Sequence, residues 1–257
     1  MLHALCAEVP PRKYFVLTYL MQHGTSINAI NAKLLFSDPA WLEMAYSTAI
    51  SGLDTGIVER GLDIANVLTA FLIGQKGAVV HDFGGGIGLL ARIMRDRGFN
   101  CFSWDPMAEY SLPLPTRDVE VADVVTLIEV LEHLTNPVEI RAEISKITDT
   151  IFISTHLIPN SGIAKNWDYL QTETGQHIFF CSPKTLRIIG QVLGMEVTSN
   201  NKNLHVLHRR SLTISKRIVV KSQQLAWLFG QLSAMLTRGK SRAHDDAKKF
   251  LEATLKN

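Results

Sequence analysis

The stretch Ala78–Leu90, AVVHDFGGGIGLL, decides the fold of this chain. An apolar, β-type run ends at an acidic residue, Asp82, and a loop with glycines at positions 84, 85, 86 and 88 follows it. A helix-like segment then ends at Gly98, and a second strand-like run, FNCFSWDP, contains Asp105 at its end. A glycine loop between a strand and a helix presents backbone N–H groups to a ligand. We therefore predict a βαβ unit that holds a nucleoside, with Asp105 as its ribose-binding acid.

The same alternation continues along the chain. Strand-like runs lie near residues 78–82, 100–105, 123–128 and 150–154, and helix-like segments separate them. Alternation of this kind predicts an α/β fold with a doubly wound, mostly parallel sheet. The carboxyl ends of such strands form the edge at which ligands bind, so we expect functional residues to follow the strands directly.

The two flanking segments have helical periodicity. Apolar residues recur at helical spacing in DPAWLEMAYSTAI and DIANVLTAFLIG, where Asp38-Pro39 and Asp63 are candidate helix starts. We predict three parts: a helical cap over residues 1–75, a ligand-binding core over 76–212 and a basic helical extension over 213–257. The cap would cover the carboxyl ends of the strands.

Composition limits the class of protein. The chain has 257 residues, of which 46% are hydrophobic, enough for one α/β domain with additions. Its three cysteines lack C-x-x-C spacing, which argues against a disulfide framework or a zinc knuckle and favours the cytoplasm. No signal-peptide pattern opens the sequence, and no uninterrupted apolar run has the length of a membrane span.

Charge is unevenly distributed. The net charge is +2, but residues 201–257 hold twelve Lys/Arg and only three Asp/Glu. Such a basic tail is usually a solvated helical face, and otherwise favours an anionic partner: a phosphorylated carrier, nucleic acid or the inner surface of a membrane. Within it, IVVKSQQLAWLFGQLSAML is apolar at helical spacing. This segment would pack on the domain, pair across a homodimer or lie in a membrane interface.

Three motifs occur in a characteristic order. The register Asp82-x-Gly84-x-Gly86-x-Gly88 resembles motif I of the class I S-adenosylmethionine (SAM) dependent methyltransferases. Residues 123–137, DVVTLIEVLEHLTNP, resemble the fourth-strand motif of that superfamily, especially its ubiquinone-biosynthesis and small-RNA O-methyltransferases. Residues 175–186, GQHIFFCSPKTL, resemble the segment that follows the fifth strand there. The alternative G-x-G-x-x-A dinucleotide fingerprint fits the glycine loop less well.

The resemblance implies a Rossmann-like fold with a seven-stranded sheet and SAM as cofactor. The runs MEVTSN and LHVLHR would form its closing antiparallel pair, and a short third strand would fall between Asp105 and Asp123. Asp82 would order the loop or bind the ammonium group of the cofactor through water, and Asp105 would bind the ribose hydroxyls. The cofactor-binding residues implied in this way are Asp82, Gly84, Gly85, Gly86, Gly88, Asp105 and Glu129.

A second group of residues suits a divalent metal. Glu129, Glu132 and His133 have i, i+3, i+4 spacing and share one face if a helical turn begins at the end of the fourth strand. The E-x-x-E-H pattern resembles the metal ligands of the small-RNA methyltransferases, and His177 lies where their later histidine ligand is found. Mg²⁺ or Mn²⁺ on these four residues would lower the pKa of a substrate hydroxyl. The alternative is that Glu132 and His133 only brace the loop.

Without a metal, a histidine is the best general base, because imidazole can take a hydroxyl proton near neutral pH. We predict His177 or His133 in this role, with His156 as an alternate; His177 could also be a packing residue. Trp167 and Tyr169 lie in a long loop, where they would line the acceptor pocket or pack as a lid.

The acceptor is predicted from resemblance alone. The run W-x-Y-L-x-T-E-T-G-Q-H at 167–177 resembles methyltransferases found with glycosyltransferases in bacterial surface-polysaccharide synthesis. It implies a sugar hydroxyl as acceptor, on a nucleotide- or lipid-linked sugar. The alternatives are a quinone-type phenol, an RNA 2′-hydroxyl without an accompanying RNA-binding module, and an idle partner subunit that uses the fold for assembly.

Overall fold

The computed structural model describes residues 33–34, 54–75, 77–108, 112, 120–134, 140–159, 163, 167–170, 177, 179–236 and 241–255. The helices in these ranges are α1 (Ile57–Phe71), α2 (Leu89–Asp96), α3 (Ile140–Ile147), α4 (Pro183–Leu193), α5 (Ile214–Lys221), α6 (Gln223–Leu236) and α7 (Ala243–Thr254). The strands are β1 (Lys33–Leu34), β2 (Val79–Phe83), β3 (Asn100–Trp104), β4 (Val124–Ile128), β5 (Thr150–Ser154), β6 (Phe179–Phe180), β7 (Glu196–Ser199) and β8 (Leu204–His208).

The principal sheet has the order β3-β2-β4-β5-β8-β7. Strands β3, β2, β4 and β5 are parallel, whereas β8 is antiparallel to β5 and to β7. This confirms the predicted α/β sheet and its closing antiparallel pair. The predicted count of seven strands in this sheet is wrong for the described residues, in which six strands form the principal sheet. The expected short strand after Asp105 falls in a segment of which residues 109–111 and 113–119 lie outside the described ranges.

The four parallel strands end at one edge, and β2 and β4 lie side by side at its centre. Asp82 of β2 pairs in register with Ser103 of β3 and with Thr126 of β4. A separate two-stranded pair joins β1 and β6 in antiparallel register. The segments that follow β2, β4 and β5 therefore meet at the carboxyl edge, where ligands of open α/β sheets bind.

Two clusters of buried apolar side chains lie on the sheet. One joins α1, α2, α5 and α6 to strand residues such as Val80 and Phe152. The other joins α3 and α4 to strand residues such as Val125 and Ile151. Because successive side chains of a strand point to opposite faces, the alternating apolar positions supply both clusters and the sheet is covered on both sides.

Helix α1 begins earlier than predicted. It starts at Ile57 after Gly56, so the expectation that Asp63 starts the helix is wrong. Asp63 lies inside α1 and accepts a hydrogen bond from the indole Nε1 of Trp227 in α6 at 3.0 Å. The residues from Ile64 to Leu72 are almost all buried in the first apolar cluster. The other candidate start, Asp38-Pro39, lies outside the described residues, and the division into cap, core and extension stays a prediction.

The C-terminal segment is helical, as predicted, and packs on the core. Val219, Val220 and Ala226 of α5 and α6 belong to the first apolar cluster. In α7, the carboxylate of Asp246, only 2% exposed, forms ion pairs with Arg92 and Arg95 of α2. Helix α7 is thus tied to the helix that follows the glycine loop. No helix of the described residues combines the length and hydropathy that crossing a bilayer requires.

Candidate functional site

The glycine loop turns the chain from β2 into α2. Gly84, Gly86 and Gly88 have φ angles of 70°, 56° and 80°, a left-handed conformation that residues with a Cβ adopt at a cost. The amide of Gly84 donates a hydrogen bond to the carbonyl of Trp104 at 2.8 Å, which ties the loop to the end of β3. The loop therefore has the backbone geometry predicted for the cradle of a nucleoside cofactor.

Asp105 lies beside this loop, as a ribose-binding acid must. Its Oδ2 accepts a hydrogen bond from the amide of Gly86 at 2.8 Å, and its Oδ1 accepts one from the amide of Met107 at 2.8 Å. Both bonds hold the carboxylate at the tip of β3. The structure thus brings together the two parts of the predicted cofactor site.

Asp82 supports the loop from inside the sheet. It is 2% exposed and accepts a hydrogen bond from the hydroxyl of Thr126 at 2.7 Å. Burial raises the pKa of Asp82 to about 6, against the effect of the Thr126 hydrogen bond. A Cβ on Gly85 would collide with the Asp82 carboxylate and with the Ser103 hydroxyl, so only glycine fits there. The Ser103 hydroxyl is itself buried and has no hydrogen-bond partner in the described part of the chain.

The segment after β4 differs from its prediction. Glu129 has a φ of 52° and precedes a 3₁₀ turn, Leu131–His133. The prediction that Glu129, Glu132 and His133 share a helical turn is therefore wrong for Glu129. The reason is that the chain reverses at Glu129, whose amide still bonds to the carbonyl of Ser154 at 3.0 Å in β5. Left-handed backbone at a non-glycine residue costs about 1–2 kcal/mol and is found preferentially at functional sites.

The hydroxyl of Tyr169 joins the acidic residues of this segment. It lies 2.6 Å from Oε1 of Glu132, 3.0 Å from Oε2 of Glu129 and 3.2 Å from the hydroxyl of Thr155. The Ser154 hydroxyl donates to the other oxygen of Glu129 at 2.5 Å. We refer to Glu129, Glu132, His133, Tyr169 and His177 as the carboxylate–histidine cluster.

Burial controls protonation in the carboxylate–histidine cluster. Burial and the charge of Glu132 raise the pKa of Glu129 to about 7, and burial raises the pKa of Glu132 as well. Burial and the two carboxylates raise the pKa of Tyr169 well above its usual value, so its hydroxyl keeps its proton and donates it. Two carboxyl groups this close titrate as a pair, and both pKa shifts favour protonation of the pair.

His177 is held as a neutral imidazole. Its Nδ1 lies 2.6 Å from the backbone carbonyl of Tyr169, which can only accept, so Nδ1 carries the proton and Nε2 keeps a lone pair. Burial and the neighbouring His133 lower the pKa of His177 to about 4. The rings of His133 and His177 have centroids 5.0 Å apart in an edge-to-face arrangement. A fixed tautomer with a free Nε2 suits both a metal ligand and a proton acceptor.

The donor set also fits a divalent cation. One ligand atom from each of Glu132, His133 and His177 lies within 4.8 Å of the others. Oε2 of Glu132 is buried without a hydrogen-bond partner in the described part of the chain. A buried, unpaired carboxylate oxygen beside the neutral imidazole of His177 is the environment that a hard cation satisfies. Glu129, the fourth predicted ligand, lies next to this trio and is bound to Ser154 and Tyr169 instead.

Other predicted residues surround the cluster. His156, the alternate base, stacks on Tyr169 with centroids 4.6 Å apart, and burial lowers its pKa. Trp167 contacts both Tyr169 and Phe180 at centroid distances of 5.5 Å. The rest of their loop falls largely outside the described residues, as do Gly175 and Gln176.

Sequence reasoning missed the hydroxyl residues that orient the acids. Thr126 bonds Asp82, Ser154 bonds Glu129, and Thr155 reaches Tyr169. His205 supports Thr155 from β8, because its Nε2 lies 3.0 Å from the Thr155 carbonyl. Their position in the sequence could have identified two of them. Ser154 and Thr155 directly follow the apolar residues of β5, at the carboxyl end of the strand, where ligands bind.

The glycine loop and the carboxylate–histidine cluster are in contact. A Cβ on Gly84 would lie 2.7 Å from a methyl group of Val130, which follows Glu129 directly. The two regions belong to the adjacent strands β2 and β4. The cluster is therefore next to the predicted cofactor loop.

Comparison with known proteins assigns the family. A family model described as a methyltransferase domain matches residues 59–200. No curated protein sequence matches the chain significantly. Among solved structures, it resembles magnesium protoporphyrin IX methyltransferase (ChlM) from Synechocystis PCC 6803 with bound SAH. The identity is 14%, over 65% of this chain and 91% of that one, with a TM-score of 0.42.

Two further structures show comparable likeness. CalO1, a methyltransferase in calicheamicin biosynthesis in its SAH-bound form, is 17% identical over 81% of this chain and 66% of that one, with a TM-score of 0.47. The small RNA methyltransferase HEN1 is 15% identical over 58% of this chain and 25% of that one, with a TM-score of 0.36. The assignment rests on the family match and the sheet described above: the chain belongs to the methyltransferase domain family of SAM-dependent, class I methyltransferases.

Proposed function

We propose that this protein transfers the methyl group of SAM to a hydroxyl of a small-molecule acceptor, a sugar or glycosyl intermediate on a nucleotide or lipid carrier. The observation that carries O-methyl transfer is the buried carboxylate–histidine cluster, packed against the glycine loop through Val130 and Gly84. A hydroxyl is a poor nucleophile until its proton is removed, and a cluster of acids and imidazoles beside the cofactor serves that purpose. The choice of a sugar as acceptor rests on the resemblance of residues 167–177. We also propose a cytoplasmic location, because Cys101 and Cys181 are free and buried.

On this proposal, the chain binds the cofactor through backbone and acids. SAM, when bound, supplies an electrophilic methyl group on its sulfonium. The amides of the glycine loop and the carboxylate of Asp105 would hold its nucleoside part, and Asp82, which lies against Gly85, would order the loop. Positioning donor and acceptor is the main task in such a displacement.

His177 would then take the proton of the acceptor hydroxyl, and the backbone carbonyl of Tyr169 would fix its tautomer. Nε2 of His177 has the lone pair to take it, because the Tyr169 carbonyl fixes the proton of the other nitrogen. The low pKa of His177 makes it a weak base by itself. The neighbouring pair Glu129 and Glu132 can share the proton once it has been taken, because burial raises the pKa of both carboxyl groups.

Mg²⁺ or Mn²⁺ is the alternative to this proton transfer, because Nε2 of His177 would then be a metal ligand and not a base. Bound to Glu132, His133 and His177, with Glu129 beside them, the ion would supply Lewis acidity that lowers the pKa of an acceptor hydroxyl. The fit rests on the unpartnered Oε2 of Glu132 and on the neutral His177.

Methyl transfer can be tested directly. The protein is incubated with methyl-labelled SAM and a panel of nucleotide sugars, lipid-linked sugars and simple catechols, with and without Mg²⁺. We expect label on a sugar hydroxyl, and an at least about hundredfold loss of rate in His177→Ala with SAM affinity kept within a few-fold. His244→Ala, an exposed histidine on α7, is the matched control and should keep full activity. Retained activity in His177→Ala would remove His177 from the mechanism, and failure to bind SAM would favour an idle subunit.

Metal binding has a separate readout. Calorimetric titration of the chelator-treated protein with Mn²⁺ should show one site, weakened at least about tenfold by Glu132→Gln. Glu196→Gln, at an exposed glutamate of β7, should leave the titration unchanged. An isotherm without heat, together with activity that withstands EDTA, would contradict the metal and leave the proton-transfer proposal in place.

A further inference from the structure

Helix α6 carries two different apolar faces. Ala226, Gly230 and Ser233 are buried, at i, i+4 and i+7, and form the face that packs on α1. The contact is so close that a Cβ on Gly230 would collide with the backbone of Asn66. Small residues form this inward face and the Trp227 indole bonds Asp63 of α1, while the other large apolar side chains of α6 point elsewhere.

Those large side chains form an outward face. Leu225, Leu228, Phe229, Leu232 and Met235 recur at helical spacing and are 44–74% exposed. They line one side of the helix, because residues three and four apart are neighbours on a helix surface. A contiguous exposed face of this kind usually marks an interaction surface. We call these five residues the outer face of α6.

The charged residues that flank α6 in the sequence are of one sign. From Val197 to His244 the sequence has nine Lys/Arg and no Asp or Glu. Helix α6 itself has no charged residue, and Lys221 lies directly before it while Arg238 and Lys240 follow it in the sequence. An apolar helix face between basic segments is the pattern of a helix that lies in the interface of an anionic bilayer.

A basic cleft adjoins the start of α6. It has a volume of about 590 Å³ and lies between α4, β7 and α5. Arg187, Arg217 and Lys221 line it together with one acid, Glu196. Lys221, which lines the cleft, lies two residues before the start of α6, so the cleft brings cationic groups close to the amino-terminal end of this helix.

A second copy of the chain explains these observations less well. A two-fold dimer would place the same surface against itself, because the interface of such a dimer is formed by the same patch on both subunits. The basic segments that flank α6 in the sequence would then approach their own copies, and like charges repel each other. An anionic surface removes this repulsion, whereas a second copy adds to it.

We propose that the outer face of α6 docks the protein onto the surface of an anionic lipid bilayer. The apolar side chains enter the boundary between headgroups and acyl chains, and the flanking Lys and Arg residues contact lipid phosphates. This docking is independent of the proposed methyl transfer, since it needs neither SAM nor an acceptor.

Vesicle co-sedimentation of the full chain tests the proposal. Vesicles of phosphatidylcholine alone are compared with an equal mixture of phosphatidylcholine and phosphatidylglycerol. We expect binding to the mixture at least about tenfold tighter than to phosphatidylcholine, and weaker at high salt. The double substitution Leu228→Ser with Phe229→Ser should weaken binding to the mixed vesicles at least about tenfold relative to the unchanged protein, because both side chains lose apolar contact. Val121→Ser, an exposed apolar residue before β4, is the control and should bind like the unchanged protein.

A check of folding separates lost lipid binding from lost structure. The thermal unfolding midpoint is measured first, and the exposed positions predict no large change; the lipid comparison with the unchanged protein needs no variant at all. Equal affinity for both vesicle types, no binding to either, or anionic binding that the double substitution leaves unchanged would each overturn the proposal. A concentration-dependent dimer that the double substitution dissociates, without vesicle binding, would overturn it in favour of a second copy.

Discussion

The glycine loop and the carboxylate–histidine cluster lie on neighbouring strands but are built in different ways. The loop site uses one continuous stretch, from Asp82 to Asp105, and presents backbone amides and a carboxylate. The cluster uses side chains from separate segments, after β4, in the turn Asp168–Leu170 and before β6. A site made of backbone tolerates no change of backbone shape, whereas a site made of side chains depends on each hydrogen-bond partner.

The largest effect on stability and SAM binding should come from a substitution in the glycine loop. Gly84→Ala adds a Cβ to a residue with φ of 70° and pushes it into Val130, so we expect a loss of about 2–4 kcal/mol in the free energy of unfolding, together with loss of SAM binding. Gly74→Ala is the matched control, because Gly74 has φ of 79° but open space around it, and it should cost about 1 kcal/mol. Chemical denaturation and SAM calorimetry measure both. Equal effects of the two substitutions would show that contact with Val130 does not matter.

The next effect is a change in pH dependence at Asp82. Its pKa is raised from 3.8 to about 6 in the folded protein, so its contribution to stability is fully present below pH 3.8 and is lost as the pH rises through about 6. Asp82→Asn cannot titrate but keeps an oxygen that accepts from Thr126. We therefore expect its stability to fall less than that of the unchanged protein when the pH is raised over this range, as denaturation curves at several pH values would show. Parallel profiles would mean that folding does not raise the pKa of Asp82.

The smallest effect should come from a single partner in the cluster. Ser154→Ala removes the hydroxyl that bonds Glu129, and we expect methyl transfer to slow by a few-fold to about tenfold, as the loss of one hydrogen bond predicts. SAM affinity should stay unchanged, since Ser154 lies on the cluster side of the comparison. Ser211→Ala, at an exposed serine, is the control. A loss of SAM affinity with normal turnover would show that the two regions are one site.

The sequence predicted the strands better than the ends of the helices. Apolar runs bounded by acids and glycines located β2, β3, β4 and β5 almost to the residue, because burial on both faces demands such runs. The start of α1 was placed at Asp63 instead of Ile57, since an aspartate before an apolar run predicts a helix start. That aspartate has another partner, Trp227, which is far away in sequence.

The candidate site was predictable in kind but not in geometry. Asp82, Asp105 and the glycines were found because a loop that presents backbone amides needs residues in a fixed local order. The trio Glu132, His133 and His177 was found from spacing and resemblance. The position of Glu129 outside the trio was not, because its φ of 52° depends on the way the chain passes from β4 to β5.

The sequence by itself determined the α/β class, the glycine loop and the acids at the strand ends, because each depends on neighbouring residues and on periodicity. Only the tertiary structure decided which groups meet: the Tyr169 hydroxyl between two carboxylates, the tautomer of His177 and the unpartnered Oε2 of Glu132. It also decided that α6 turns its small residues inward and its large apolar residues outward. These contacts join residues far apart in the chain, and burial, which sets their protonation and exposure, exists only once the chain has folded.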